Sequence, residues 1–230
     1  FFAISQGFLG DMPEVQELEN PDIYVASEII SSDGVQLGKF EKEKTIPITY
    51  KDLPQHLIYA LQAKEDERFR EHSGIDMKSI ARAIRYGGAR GGGSTITQQL
   101  AKLLFTGNAS QNKIQRAFQK LKEWVVAVSL EKRYTKEEIV TLYFNKFDFL
   151  HNANGIELAS KIYFNKSAKD LNLSEAATFV AMLENPRRNN PIRYMDRAIK
   201  RRNVVLDQML ETGYIDQATH DKVIAEPITV

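Results

Sequence analysis

Between Lys64 and Gly74 the chain crowds acids, bases, one aromatic and one imidazole into a single short run, Lys64-Glu65-Asp66-Glu67-Arg68-Phe69-Arg70-Glu71-His72-Ser73-Gly74. A carboxylate held against a hydroxyl can take its proton, a step typically worth ~10²–10⁴ in rate. Neighbouring carboxylates raise its proton affinity where they converge in space. The same residues also suit the solvated end of a helix, since acidic triplets are common on surfaces. A second run follows at Gly91-Gly92-Gly93-Ser94-Thr95-Ile96-Thr97-Gln98-Gln99. Its plain reading is a loop entering a helix. Thr95, Gln99 and Lys102 fall at i, i+4 and i+7, which sets a hydroxyl, an amide and an ammonium in a row on one helix side. Beside a helix N-terminus that row suits anions and sugar hydroxyls.

The elements that must position these groups are mostly helical. Tyr24–Ile30 and Val35–Phe40 flank Ser31-Ser32-Asp33-Gly34, and Asp-Gly between apolar runs predicts a β-hairpin. Thr45–Thr49 is a candidate short edge strand. From Asp52 onward helical periodicity dominates. Asp52 caps a helix with Leu57, Ile58 and Leu61 on its buried side, and this helix delivers Glu65 near its end. Asp76 caps the next helix, with Met77, Ile80, Ala81 and Ile84 as its stripe and Gly87-Gly88 as its stop. Ser94 caps a helix running to Phe105, with Ile96, Leu100, Leu103 and Leu104 on the apolar side. Residues 113–133 form a long helix with Ala117, Leu121, Val125 and Val128 buried. Thr135 and Glu138 form a capping box. Helices over 155–164, from Ser174 to Leu183, over 194–212 and after Asp216 complete the chain, and Gly213 stops the third of these.

Five ordered motifs make nearly the whole chain from Tyr24 onward resemble the peptidoglycan glycosyltransferases, the transglycosylase domains of class A penicillin-binding proteins and of monofunctional transglycosylases. They are Glu65-Asp66-x-x-Phe69-x-x-His72-x-Gly74; Gly93–Gln99 with Lys102; Gln119–Glu123 followed by Glu131-Lys132-Arg133; Lys136-x-x-Ile139-x-x-x-Tyr143-x-Asn145; and Glu175-Ala176-Ala177 with the later Asn185-Pro186. The resemblance implies a mainly α, lysozyme-like fold with a small β-hairpin element near the N-terminus. It implies that lipid II is polymerised into linear glycan with inversion and release of undecaprenyl diphosphate. Glu65 matches the catalytic base and Glu123 the second glutamate, on the leaving-group side. Asp66, Phe69, His72, Ser94, Thr95, Gln98, Gln99, Lys102, Lys120 and Arg133 match substrate-binding positions. His72 reads better as a structural histidine behind Glu65 than as a proton carrier, and Tyr143 and Asn145 as fasteners between helices. One departure stands out: the place before Lys120, usually Arg in the family, is Gln119, and Arg116 or Lys122 are the cations at hand to replace it.

The resemblance also implies the surroundings. Residues 1–22 would be a connector after a membrane anchor, and 23–230 the catalytic domain, divided into a hairpin at 23–50, a helical body at 52–213 and a C-terminal helix at 214–230. The apolar start, Phe1 to Leu9, is too short to span a bilayer, which needs about 20 residues, and by itself reads equally as a strand. The expected partners are lipid II, the growing lipid-linked strand, the outer face of a bacterial inner membrane and cell-wall synthesis proteins; the resemblance is compatible with a C-terminal transpeptidase domain and equally with a monofunctional protein. No obligatory cofactor is expected; Mg2+ or another divalent cation at the substrate diphosphate is compatible with the chemistry. No protein metal site is expected, because the chain has no cysteine and its four histidines lie far apart. A net charge of +1 gives no reason to expect nucleic acid, and no GxxxxGK[ST] run supports nucleotide binding. A lysozyme-type hydrolase would share the fold and the glutamate, and a non-catalytic lipid II scaffold would share the motifs. The cations beside Gln99 favour a diphosphate leaving group over the hydrolase.

Overall fold

The computed structural model describes residues 27–33, 36–40, 45–86, 92–107 and 110–230. The connector read over 1–22, the Gly87-Gly88 stop and Gly34 of the hairpin turn lie outside these residues. The hairpin is present as β1 (Ser27–Ile30) and β2 (Gln36–Phe40), paired antiparallel with Ser27 opposite Phe40 and an irregularity at Ile29/Ile30. Thr45–Thr49 forms no strand. It makes one bridge, Thr45 to Asn154, and is tied to the body by Asn145, whose side chain donates to Ile48 O at 2.9 Å and accepts from Ile48 N at 3.1 Å.

The helical body comprises α1 (Gln55–Glu65), α2 (Met77–Arg85), α3 (Ile96–Ala101) continued by a π-helical turn over Lys102–Thr106, α4 (Lys113–Glu131), α5 (Lys136–Lys146), α6 (Ile156–Phe164), α7 (Leu173–Glu184), α8 (Met195–Glu211) and α9 (Gln217–Ala225). α1 packs on α7 and α8, which pack on each other, while α3 packs on α4 and α5. Leu57, Ile58 and Leu61 of α1 are essentially inaccessible, and full burial of such a side chain contributes roughly 1.5–3 kcal/mol. An aromatic cluster of Phe147, Phe149, Tyr163, Phe164 and Phe179 joins α5, α6 and α7 edge to face.

Several helix starts differ from the sequence reading by one or two residues, two of them because another side chain reaches the free amides first. Asp52 lies inside a 3-10 turn capped by Thr49, so α1 starts after Pro54. Thr95, not Ser94, caps α3 by accepting from Gln98 N at 3.1 Å. Asn172, not Ser174, caps α7 in a capping box with Glu175. The caps at Asp76, Thr135 and Asp216 stand where the sequence puts them.

Two apolar stripes are not buried as read. α2 buries no residue; Met77 is 67% and Ile84 78% exposed. Its anchorage is polar instead: Asp76 accepts from Lys78 N, Ser79 N and Arg68. The first half of α4 projects beyond the core, leaving Ala117 exposed and Leu121 half-buried, and the buried side becomes Glu123, Val125, Val126, Ala127 and Leu130. Leu103, in the π-helical turn, is also exposed.

Gly74 sets the distance between the Glu65 segment and α4. Its φ is +90°, and a Cβ there would stand 2.8 Å from the backbone carbon of Ala127 and 2.9 Å from its oxygen. Only glycine accepts both the dihedral and the contact. The Gly74 carbonyl in turn accepts from Thr95 Oγ1 at 2.8 Å and Gln98 Nε2 at 3.1 Å, so this one residue joins the first motif, α3 and α4.

Candidate active site

α1, α3, the α2 face, the α4 midpoint and the C-terminal turns of α7 and α8 enclose a cleft of about 550 Å³. Glu65 lines it from the last turn of α1. Gln99 Nε2 donates to Glu65 Oε2 at 2.7 Å, and Tyr143 OH donates to Gln99 Oε1 at 2.9 Å. Burial pushes the Glu65 carboxyl above its ordinary value, while the Gln99 bond opposes that shift. Burial, together with the nearby Glu65 charge, raises the Tyr143 phenol well above the usual range. The phenol therefore stays a donor and fixes which end of the Gln99 amide meets Glu65.

Asp66, adjacent in sequence, has another task. Its two oxygens each lie 3.0 Å from His72 Nε2, and Oδ2 also accepts from Ile96 N at 3.0 Å. Gly74 N donates to His72 Nδ1 at 3.2 Å, so the bonding pattern assigns the proton to Nε2, facing Asp66. Phe69 is core, and Lys136 Nζ stands 4.3 Å from its ring centroid. That same ammonium donates to His72 O at 2.6 Å and Glu131 Oε1 at 2.8 Å, and Glu131 accepts from Thr97 Oγ1 at 2.5 Å. Phe69 and His72 thus support the cleft from behind and do not line it.

The second carboxylate, Glu123, is 1% exposed. Arg116 Nη1 donates to its Oε1 at 2.6 Å, and Lys120 Nζ lies 3.1 Å from its Oε2 and donates to Ser94 Oγ at 2.8 Å. Burial lowers the Lys120 pKa, and the Glu123 charge opposes that. Lys102 lines the same wall. Gln119 has become a loop clasp, accepting from Ser110 N at 2.9 Å, and Arg116 brings the guanidinium to Glu123. Arg133 stands apart on the surface, with Nη1 donating to Ser129 O at 3.3 Å, and does not line the cleft.

Ser94, Thr95, Gln98, Gln99, Lys102, Lys120, Glu65, Asp66 and Glu123 are therefore brought together, whereas Phe69, His72 and Arg133 are not cleft residues. The sequence reading missed Ser79 and Arg82 on α2, Glu184 on α7, and Gln208 and Glu211 on α8, all of which line the cleft. The α7 and α8 groups carry no local signal; only tertiary packing of α1 against those helices brings them to Glu65.

Residues 33–210 match the Transglycosylase family. The chain belongs to that family. Transglycosylase relatives include Penicillin-binding protein 1A of Pseudomonas aeruginosa, 37% identical over 94% of this chain and 26% of that protein, and Penicillin-binding protein 1A of Escherichia coli, 37% identical over 94% and 25%. Penicillin-binding protein 1F of Bacillus subtilis is 38% identical over 84% of the chain and 27% of its own length. The crystal structure of Penicillin-binding protein 1A from Haemophilus influenzae superposes with a TM-score of 0.51 at 25% identity, covering 90% of this chain and 21% of that one. The chain thus spans about a quarter of the length of the curated relatives it matches. It is a transglycosylase domain of the class A penicillin-binding protein type, a peptidoglycan glycosyltransferase with the mainly α, lysozyme-like fold.

The donor set does not suit a divalent cation. Both Glu123 oxygens already face cationic side chains, and among the described residues no three His, Cys, Asp or Glu side chains are grouped to hold a metal ion.

This transfer of charge from position 119 to position 116 has a measurable consequence. Arg116→Ala leaves a buried carboxylate oxygen without its cation and should destabilise the domain by about 1–2 kcal/mol, less than a fully buried pair because the guanidinium is partly solvated. Gln119→Ala removes one loop hydrogen bond and should cost below about 1 kcal/mol. Urea unfolding of both variants checks the order; a larger loss for Gln119→Ala would refute this assignment.

Proposed function

We propose that this transglycosylase domain joins two lipid-linked disaccharides, using lipid II as acceptor and the growing strand as donor. The observation that carries the reading is one cleft holding a base and a separate cation group. Glu65 sits at the end of α1 with a raised proton affinity and one amide donor. Arg116 and Lys120 meet on Glu123, with Lys102 on the same wall.

In the proposed step, Glu65 takes the proton of the acceptor's sugar hydroxyl as that oxygen bonds to the anomeric carbon of the donor. The anomeric C–O bond to phosphate breaks, and its electrons leave with undecaprenyl diphosphate. Lys102, Arg116 and Lys120 stabilise the negative charge that grows on the diphosphate, Arg by paired donors and Lys as point charges. Glu123 keeps Arg116 and Lys120 together and compensates their charge between turnovers. Ser94 holds Lys120 from the loop side, while Thr95 and Gln98 spend their donors on Gly74 and shape the floor. Asp66, His72 and Phe69 hold α3 and the Glu65 turn in register. Inversion follows from attack opposite the leaving group, as in the family.

Polymerisation of labelled lipid II by the unchanged domain and by Glu65→Gln tests this. Linear glycan from the first, and a rate lower by ~10²–10⁴ from the second at equal lipid II binding, is expected. Cleavage of finished peptidoglycan without polymer would point to a hydrolase, and binding without turnover by both proteins to a scaffold.

Access to lipid-linked substrates places the cleft at the outer face of the cell membrane. No helix among the described residues is long and apolar enough to cross a membrane. Met77, Ile84, Leu103, Ile114 and Phe118 are exposed along α2, the π-helical turn and the start of α4, and α2 and Leu103 border the cleft. We assign this apolar edge to the bilayer surface. Flotation with anionic vesicles should weaken in an Ile84→Asp/Ile114→Asp variant; unchanged flotation would remove the assignment.

A further inference from the structure

The turn between α7 and α8 is a rigid, cationic platform that begins where the cleft ends. Glu184 lines the cleft and closes α7. Arg187 and Arg188 follow within four residues, Arg193 comes next, and all three are exposed. No ion pair joins any of the three to another described residue. Ile192 and Tyr194 beside them are 49% and 54% exposed.

Exposed arginines on a loop are ordinarily only solvated charge. Here the backbone that carries them is fixed by two buried asparagines. Asn189, 1% exposed, donates to Ala181 O at 2.8 Å and accepts from Arg197 Nε at 3.1 Å. Asn190, fully buried, donates to Tyr163 OH at 2.9 Å and accepts from Ile192 N at 2.9 Å. Asn185 Oδ1 accepts from Arg188 N at 3.0 Å. A loop with its polar side chains turned inward and its guanidiniums turned outward presents a preset charge pattern, and little order is lost when a ligand docks.

We propose that this platform is a track for the glycan strand outside the cleft, in which Arg187, Arg188 and Arg193 bind carboxylates of the peptides carried by the strand. The proposal rests on the polymerase reading of the same cleft. Charge complementarity selects the peptides, since the sugars of the strand present few anions, and guanidinium forks fit carboxylates in paired contacts. The platform is continuous with the cleft through Glu184, whose carboxylate is itself met by Arg201 at 3.4 Å, so its own charge is offset where the strand would pass. Tyr194, 54% exposed, adds an aromatic side chain beside the three arginines.

The test uses the full chain and an Arg187→Ala/Arg188→Ala/Arg193→Ala variant, whose changes are all on the surface. Binding of soluble, uncrosslinked glycan strands is measured with the peptide carboxylates intact and after these are stripped of charge by conversion to methyl amides. Intact strands should bind the unchanged protein more tightly than stripped strands, and the variant should lose about ten-fold in affinity for intact strands at low salt while stripped strands bind both alike. In lipid II polymerisation the variant should make shorter strands at an unchanged rate of first coupling. Equal binding of intact and stripped strands by the unchanged protein, or no loss in the variant, overturns the track. A variant that loses only its affinity for anionic vesicles also overturns it and assigns the platform to lipid. Strand binding does not require turnover, so a failure of the polymerase reading shows separately as absence of polymer.

Discussion

A carboxylate drawn out of water must find a donor or take up a proton, and the arrangement around Glu65 follows from that constraint. Its donor is Gln99, and an amide can offer either its N–H or its oxygen. Tyr143 decides which, by donating to the amide oxygen from full burial. Three helices therefore have to meet at one point: α1 for the acid, α3 for the amide and α5 for the phenol. The contacts of α3 with α5 and of α1 with the α7–α8 pair hold them there. A shift of about 1 Å in any of them would lengthen a 2.7 Å or 2.9 Å bond beyond useful range.

Neighbouring acids in this cleft are separated by what each is bonded to. Asp66 follows Glu65 directly, yet it is saturated by His72 and the first amide of α3 and acts as a bracket. Asp76 is the cap of α2; burial alone would raise its pKa, but Arg68 and Ser79 outweigh burial and hold it far below the usual carboxylate range. Glu123 is the charge that allows two cations to share a buried position. Glu65 alone among these four has neither a cation nor an imidazole within ion-pair distance among the described residues, which leaves burial as the main influence on its proton affinity.

Much of this was legible in the chain. Helical periodicity locates α1, α4 and α5, and the ordered motifs bring Glu65, Gln99 and Glu123 to notice, all three of which line the cleft. What stayed hidden depends on competition or distance. Ser94 and Thr95 are equally good caps on paper; Lys120, which reaches Ser94 from the next helix, is part of what separates them. The α2 stripe has helical spacing but no core beside it, so the period is right and the burial wrong. Gln119 looked like a lost charge, while Arg116, one turn earlier on the same helix, already supplies it. Glu184, Gln208 and Glu211 enter the cleft through packing of helices more than a hundred residues from Glu65, and nothing local marks them.

The central claim is that burial, moderated by Gln99, sets the proton affinity of the base. The pH dependence of kcat/KM for lipid II polymerisation, in the unchanged domain and in Gln99→Leu, tests it most directly. A base must be ionised to act, so activity should rise with pH through the Glu65 pKa, and the acid limb should lie above the 4.5 of an ordinary glutamate. Gln99→Leu removes the bond that favours the carboxylate, so its limb should move to higher pH. A limb that stays in place or moves lower in Gln99→Leu would contradict the account.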